Sequence, residues 1–460
     1  MTKPTVLFFA RGYQTDFYPK LVCEDYDAVF VTLTRAEKQQ VERNGCRVEA
    51  CFEEDFERIV PVEVDGDYLI TSLAADRFLG RFDHVERLRI LGREIAFWRA
   101  LIERFQPVAV VNELVAIEIA EVLLIESRRA GIRYLAGMHA VVDDRFYWLP
   151  DPISISGRHL ELNEASEADH AAAHEYVHNL IEKNHRPWYV IGLAGRHAVL
   201  PFVVALVKYA VWSLRARQRR FRYESYVEDY RKRVTVYLRG WFFRYDRLDA
   251  IPDDREIVFY PLHQEPEATL DYMSDVYASQ AATIENILKC LTPRQVLVVK
   301  EHPVDKGSLL QKKFWRLRKS LSGLYLLPGE VDGRQVFSRA TRIVTLTSTV
   351  GWEAAANGKA VYVLGQIFFD ALPGVQVVSD FRMLREMLHR PVPQPVRRED
   401  IERMVAQMLH HCHPGNPFPH AGLYTPENIR RVIDAILDGA RIGAASRSEP
   451  IADAEVASAA

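Results

Sequence analysis

Short apolar runs and longer amphipathic stretches alternate along most of this 460-residue chain. In the first third, Val6–Ala10, Ala28–Thr32 and Arg47–Phe52 read as strands, as do Tyr68–Ser72, Val108–Asn112 and Tyr134–Gly137. Helical patterns lie between them at Arg35–Asn44, His84–Phe105 and Val115–Ala130. The strand positions are continuously apolar rather than alternating, the pattern of strands covered on both faces. That predicts βαβ units around a parallel sheet, a Rossmann-like domain over residues 1–157.

A second series of the same kind begins near Glu256. Strands are predicted at Ile257–Leu262, Gln295–Lys300, Leu324–Leu327, Arg342–Leu346, Lys359–Leu364 and Val375–Val378. Helices are predicted at Tyr277–Leu291 and Val350–Asn357, with two more, Glu399–His411 and Pro426–Ala440, closing a second Rossmann-like domain over 251–442. Residues 443–460 are rich in Ala, Ser and Glu without apolar period and read as a disordered tail. The fold class is α/β, two Rossmann-like domains facing a cleft.

Between the domains, residues 158–250 form a helical connector that begins with a helix at Glu164–Lys183. Ala198–Trp212 is almost wholly apolar, and Arg215, Arg217, Arg219, Arg220 and Arg222 follow at once. From Arg196 to Arg247 there are 13 Lys/Arg against 4 Asp/Glu, so a basic block hides inside a formal net charge of −3. The apolar run falls short of the roughly 20 residues that span a bilayer. Two readings stay open for 198–222. It is an interfacial helix, with arginines on an anionic membrane surface, or an inter-domain helix with a solvated basic face.

Charge and composition narrow the partners. A slightly acidic total argues against a nucleic-acid partner. Five dispersed cysteines with no C-x-x-C pair fit thiols in a reducing compartment, and the N-terminus lacks the pattern of a secretory signal, so a cytoplasmic location is expected. No Asp-x-Asp motif is placed as a metal-phosphate clamp, and neither a metal nor a cofactor is expected.

Candidate chemistry gathers at three strand ends of the second domain. In Thr345-Leu-Thr-Ser-Thr-Val-Gly-Trp-Glu353 a buried strand ends in Thr347, Ser348 and Thr349 just before a helix. Open N–H groups, the helix dipole and hydroxyls favour an anion there, and Gly351 would allow close backbone approach. An ordinary Ser/Thr N-cap is the other reading. In Val298-Val-Lys-Glu-His-Pro303 a strand delivers Lys300 and His302 to its end, and Pro303 fixes the turn. In Tyr260-Pro-Leu-His-Gln-Glu-Pro-Glu-Ala268 the polar residues His263, Gln264, Glu265 and Glu267 crowd one loop. Carboxyl ends of strands in one open sheet gather ligands, so the three should share a site.

Together with Gly358-Lys-Ala-Val-Tyr-Val-Leu-Gly365, these motifs resemble the bacterial capsule-polysaccharide biosynthesis proteins, GT-B glycosyltransferases that include retaining β-Kdo transferases. The resemblance covers about Glu256 to Phe369. It implies a GT-B-like fold, a nucleotide-sugar donor with a CMP-linked ulosonic acid favoured, and a glycan or glycolipid acceptor. It also implies that His302, Ser348 and Thr349 hold the donor phosphate, with Glu353 on the ribose. The catalytic carboxylate is expected across the cleft at Glu113, which ends the strand Val108–Asn112 and could otherwise cap the next helix, or in the Glu265/Glu267 loop. His139, Asp143, Asp144 and Arg145 form the next cluster. Retaining chemistry needs a carboxylate nucleophile or front-face assistance, inverting chemistry a general base, and both stay open. A sugar-nucleotide 2-epimerase and a non-catalytic scaffold of capsule assembly are the competing readings.

Overall fold

A computed structural model describes residues 3–68, 79, 82–159, 165–183, 203–204, 206–208, 210–211, 234–235, 238, 244–265, 267–277, 279–303, 305, 307–418 and 422–442. The expected strand Tyr68–Ser72 beyond Tyr68, most of the 198–222 segment and the tail 443–460 lie outside them.

The first sheet contains β1 (Thr5–Phe9), β2 (Asp27–Thr32), β3 (Val48–Cys51), β4 (Ala109–Glu113), β5 (Arg133–His139) and β6 (Arg145–Trp148). The second contains β7 (Glu256–Pro261), β8 (Gln295–Lys300), β9 (Leu324–Leu327), β10 (Arg342–Thr345), β11 (Ala360–Val363) and β12 (Gln376–Val377). A short β13 (His413–Pro414) joins the first sheet. The second sheet runs β12-β11-β10-β7-β8-β9 with every pair parallel. The chain lays down β7, β8 and β9 in one direction, then returns to add β10, β11 and β12 on the other side. The first sheet repeats this course, with β1, β2, β3 on one side and β4, β5 on the other. Each sheet therefore has a switch point, between β7 and β10 and between β1 and β4, where the chain leaves neighbouring parallel strands toward opposite sides of the sheet. In open α/β sheets that crevice is where ligands bind.

Local sequence sets the boundaries. Thr34 and Glu37 form a reciprocal capping box that starts the helix Arg35–Arg43. Asp83 accepts from the Glu86 N–H and starts His84–Phe105, whose buried face includes Ile90, Ile95 and Trp98. Gly358, at φ 73°, turns the chain out of the helix Thr349–Ala356 into β11, a conformation that glycine adopts without penalty.

The two halves are packed together. Ser156 Oγ donates to Asp370 Oδ2 at 2.6 Å, and Gly157 N donates to Ile367 O at 3.2 Å. A side chain on Gly157 would collide with the Phe368 carbonyl. Trp352 Nε1 donates to the Tyr176 hydroxyl at 3.0 Å, tying the connector helix Glu167–Glu182 to the second domain. One apolar cluster unites Ala136, Tyr147 and Ile155 from the first half with Phe259, Trp352 and Phe369 from the second.

Two features depart from the sequence reading. The strand Arg145–Trp148 runs antiparallel to β5, so Asp143 and Asp144 lie in a hairpin turn, with Asp144 at φ 54°. The span 251–442 is also not one spatial unit. β13 pairs with β6, and the helix Pro426–Ala440 packs Val432, Ala435 and Ile436 against Val6, Phe8 and Phe146 of the first domain. Trp148 Nε1 fixes that contact by donating to Ala435 O at 3.0 Å. An apolar stripe shows that a helix is covered but not which sheet covers it.

Candidate active site

The switch point of the second sheet is closed by a hydrogen bond. His263, two residues past β7, accepts at Nε2 from the Thr347 N–H, two residues past β10, at 3.1 Å. Gln280 holds the His263 backbone from the helix Gln280–Cys290, accepting from its N–H at 2.7 Å and donating to its carbonyl at 3.1 Å. His263 is 5% exposed, and among the described residues its Nδ1 has no hydrogen-bond partner. Burial, and secondarily the nearby His302, push its pKa down to about 3, so the ring is neutral at neutral pH. A neutral ring that accepts at Nε2 carries its proton on Nδ1. The Thr347 hydroxyl is also buried and unpartnered.

From β8 come Lys300, Glu301 and His302. His302 is half-buried, its pKa pushed down to about 4 by burial and then by Lys300. Lys300 donates to the Glu301 carbonyl at 2.9 Å, and burial lowers its pKa to about 8. Glu301 is structural. It accepts from Gly307 N, Leu309 N and the Tyr245 hydroxyl at 3.1, 2.8 and 2.8 Å, and so shapes the loop behind His302. Past Pro303, Asp305 N donates to the His302 carbonyl at 3.1 Å, and Gly329 lets the chain after β9 lie against the same turn.

The hydroxyl-rich turn takes several roles. Ser348 is the N-cap of Thr349–Ala356, its Oγ accepting from Val350 N at 3.2 Å, while its N–H donates to Thr345 Oγ1 at 3.1 Å. Thr349 is the first residue of that helix. Gly351 does not open the backbone to a ligand. It faces inward, where a Cβ would stand 3.0 Å from Thr345 Cγ2 and 3.1 Å from Phe369 Cζ, so it is a packing glycine. Glu353 has one oxygen in an ion pair with Arg334 Nε at 2.7 Å.

The Glu265 carboxylate is held by the protein. Glu265 pairs with Lys313 at 2.6 Å, and its other oxygen accepts from Gln280 at 3.3 Å. The Glu267 carbonyl accepts from Leu270 N and Asp271 N at the start of a short helical turn. Gln264 is half-buried on the same loop. The strand ends thus bring together His263, Thr347, Lys300 and His302, while Glu265 works with Gln280 to hold the loop.

Glu113 stands at the end of β4, at the switch point of the first sheet. It does not cap the following helix, which begins at Glu118 with Ile117 as N-cap. Its carboxyl lies among Arg11, Tyr13, Tyr18 and Tyr134. Burial raises it above the usual range, and Arg11 draws it partly back. Arg11 and Gln14, just past β1, were not singled out in the sequence. The strand-end rule that found His263 would have found them had it been applied to Val6–Ala10. His139 at the end of β5 is pushed down to about 4 by burial and packs edge-on against Phe418 at 5.4 Å. In the hairpin, Arg145 pairs with Pro414.

Asp65-Gly-Asp67 is an Asp-x-Asp sequence, but both carboxylates engage Arg129, Asp65 at 2.8 Å. A cavity of about 410 Å³ is lined by Asp246–Asp249, Pro328, Val331 and Arg339, just past the end of β9. Among the described residues no helix is long and apolar enough to cross a membrane.

Residues 204–410 match a family described as "Capsule polysaccharide biosynthesis protein". No curated protein sequence matches significantly. Among solved structures, the β-Kdo 2,4 transferase of Thermosulfurimonas dismutans KpsC is similar at 15% identity over 72% of this chain and 87% of that one, with a TM-score of 0.34. The β-Kdo 2,7 transferase of the same protein is 11% identical over 81% and 97%, also at 0.34. A UDP-GlcNAc 2-epimerase from Neisseria meningitidis is 10% identical over 95% and 100%, at 0.30. Over the span that carries the second sheet and its histidine pair, this chain resembles the capsule polysaccharide biosynthesis proteins.

Proposed function

We propose that the protein is a glycosyltransferase of capsule or surface-polysaccharide synthesis. It transfers a sugar, with Kdo or another ulosonic acid on CMP favoured, from a nucleotide donor to a glycan or glycolipid acceptor. The observation that carries this reading is the polar switch point of the second sheet, inside the span matched to the capsule family. There a neutral His263 with an unpartnered Nδ1 and the unpartnered Thr347 hydroxyl lie close to His302. A phosphate would take the Nδ1–H of His263, the Thr347 hydroxyl and an N–H of His302, with Ser348, Thr349 and the helix start behind them. On transfer, the acceptor hydroxyl oxygen bonds to the anomeric carbon and the bond from that carbon to the donor phosphate oxygen breaks. The nucleotide leaves with the electron pair, and the hydroxyl proton passes to the Glu113 carboxylate. Burial that raises the affinity of Glu113 for a proton suits it to that task. This scheme needs no metal ion.

The reading extends to a peripheral location at the membrane. Val203, Val204, Leu206, Val207 and Val211 are exposed apolar residues immediately ahead of the arginine-rich stretch, which suits them to an anionic lipid surface. The test of function is a thermal-shift screen against CMP, UDP, GDP and dTDP, followed by a transfer assay with the stabilising nucleotide's sugar. Stabilisation by CMP with sugar transfer is expected. Stabilisation by UDP with interconversion of UDP-GlcNAc and its 2-epimer would replace transfer by epimerisation. No stabilisation by any nucleotide would favour a scaffold.

A further inference from the structure

The helix Lys312–Ser320 carries a charge pattern that the proposed chemistry does not use. It lies between β8 and β9, and Phe314 and Leu317 bury one side of it in the apolar cluster that also holds Val299 and Leu326. Five of its 9 residues are Lys or Arg, and none is Asp or Glu. Between Asp305 and Glu330 the chain contains no acidic residue at all.

The five cations divide into two sets. Lys313 pairs with Glu265 at 2.6 Å and Arg318 with Asp246 at 2.6 Å. These two fix the helix to the loop after β7 and to the segment that Asp246 joins to β9 through the Leu326 N–H. Lys312, Arg316 and Lys319 are exposed and make no ion pair among the described residues. They stand at i, i+4 and i+7 and so share one outward face, with Trp315 between them. Trp315 is 48% exposed, and Lys319 Nζ lies 4.3 Å from the centre of its ring. Lys312 also sits in the first turn, which has no acid and no side-chain cap, where the helix dipole already favours an anion. Like charges at these spacings repel one another, so the face is stabilised when a polyanion covers it.

The kind of anion follows from what accompanies the cations. The outward face has one aromatic ring and no aliphatic side chain, whereas a helix that lies in a bilayer surface presents a whole apolar face. A net charge of −3 gives no wider basic field for nucleic acid. A carboxylated polysaccharide fits both groups at once. Its carboxylates meet the cations, and the C–H face of a sugar ring lies flat on the indole, a large rigid apolar surface.

We propose that Lys312, Trp315, Arg316 and Lys319 form a surface site for an anionic polysaccharide, outside the cleft. The Lys313–Glu265 pair joins the first turn of the helix to the loop that carries His263, which puts the site beside the candidate active site. Its role, holding a carboxylated glycan chain at the enzyme between transfers, rests on the proposed transfer function. The binding itself does not.

The test is isothermal titration of the full chain, with oligogalacturonate as the carboxylated probe and its methyl ester as the uncharged one. At about 20 mM salt the acid form should bind at least about tenfold more tightly than the ester, and about 200 mM salt should weaken it by screening. The triple variant Lys312→Ser, Arg316→Ser, Lys319→Ser should lose about tenfold in affinity, about 1.4 kcal/mol, and Trp315→Ala about threefold. CMP affinity and the melting midpoint should stay near the parent's, because these side chains are exposed. No binding of the acid form, equal binding of the ester, or equal affinity in the folded variants would overturn the site. Co-sedimentation with phosphatidylglycerol vesicles tests the rival surface. Vesicle binding lost in the triple variant while its oligogalacturonate affinity is unchanged would assign the face to lipid and overturn the proposal. A parent protein that binds oligogalacturonate but no nucleotide would sink the transfer reading and leave the site standing, which separates the two failures.

Discussion

Thr347 gives its backbone N–H to Nε2 of His263 at 3.1 Å, joining the ends of β10 and β7. The bond fixes the imidazole as the Nδ1–H tautomer, and among the described residues that proton meets no acceptor. Nitrogen-15 NMR of the histidine rings should therefore show His263 protonated at Nδ1 alone from pH 8 down to about 4. Addition of CMP should shift the Nδ1 resonance. A mixture of tautomers in the free protein would contradict the assignment.

His302 is the residue whose loss should separate binding from folding. It is half-buried, and burial, with Lys300 beside it, keeps its ring neutral at pH 7. His302→Ala should raise the Kd for CMP by about tenfold, the cost of one hydrogen bond to a charged group. The melting midpoint should change little. Isothermal titration beside a thermal melt checks both, and an unchanged Kd removes His302 from the site.

Both imidazoles make stability depend on pH in the same direction. Their folded pKa values, about 3 and about 4, lie below the ordinary value of about 6.5. Between about pH 6.5 and 4 the unfolded chain binds more protons at these rings than the folded one, so stability falls as pH falls through that window. Each ring contributes at most about 1.4 kcal/mol per pH unit. Urea melts at pH 7, 6, 5 and 4 should show this loss, and His263→Asn should flatten the slope.

Gly351 and Ser156 serve the architecture. Gly351→Ala drives a methyl group against Thr345 and Phe369 and should cost about 1–3 kcal/mol. CMP affinity of the folded fraction should stay near the parent's. A selective loss of CMP binding without loss of stability would return Gly351 to the ligand.

Ser156→Ala removes the donor from a buried oxygen of Asp370 and should also cost about 1–3 kcal/mol in a urea melt. Asp370→Asn in the same background should recover part of it, because the amide no longer carries a buried charge.

The parallel sheets were legible because strands covered on both faces leave continuous apolar runs. Val6–Ala10, Ile257–Leu262 and Gln295–Lys300 each mark a strand within a residue or so. The strand-end rule also pointed to His263 and His302. What escaped is information that lies between segments. The strand Arg145–Trp148 is four residues long, too short for a period. Gly351 reads alike whether it meets a phosphate or a phenylalanine, since a glycine does not name its neighbour. Glu265 and Glu353 look like open carboxylates until Lys313 and Arg334 arrive from elsewhere in the chain.

The return of the last helix to the first sheet has a practical consequence for anyone dividing the molecule. Among the described residues the polypeptide passes between its halves near Ser156 and again between the helix Arg398–His410 and His413. Residues 1–157 expressed alone would lack the cover over Val6, Phe8 and Phe146 and should be sticky. A fragment beginning at 251 would carry an orphaned amphipathic helix at its end. Supplying residues 412–442 as a separate peptide to the first fragment should restore its solubility, as a missing lid fits back on its box.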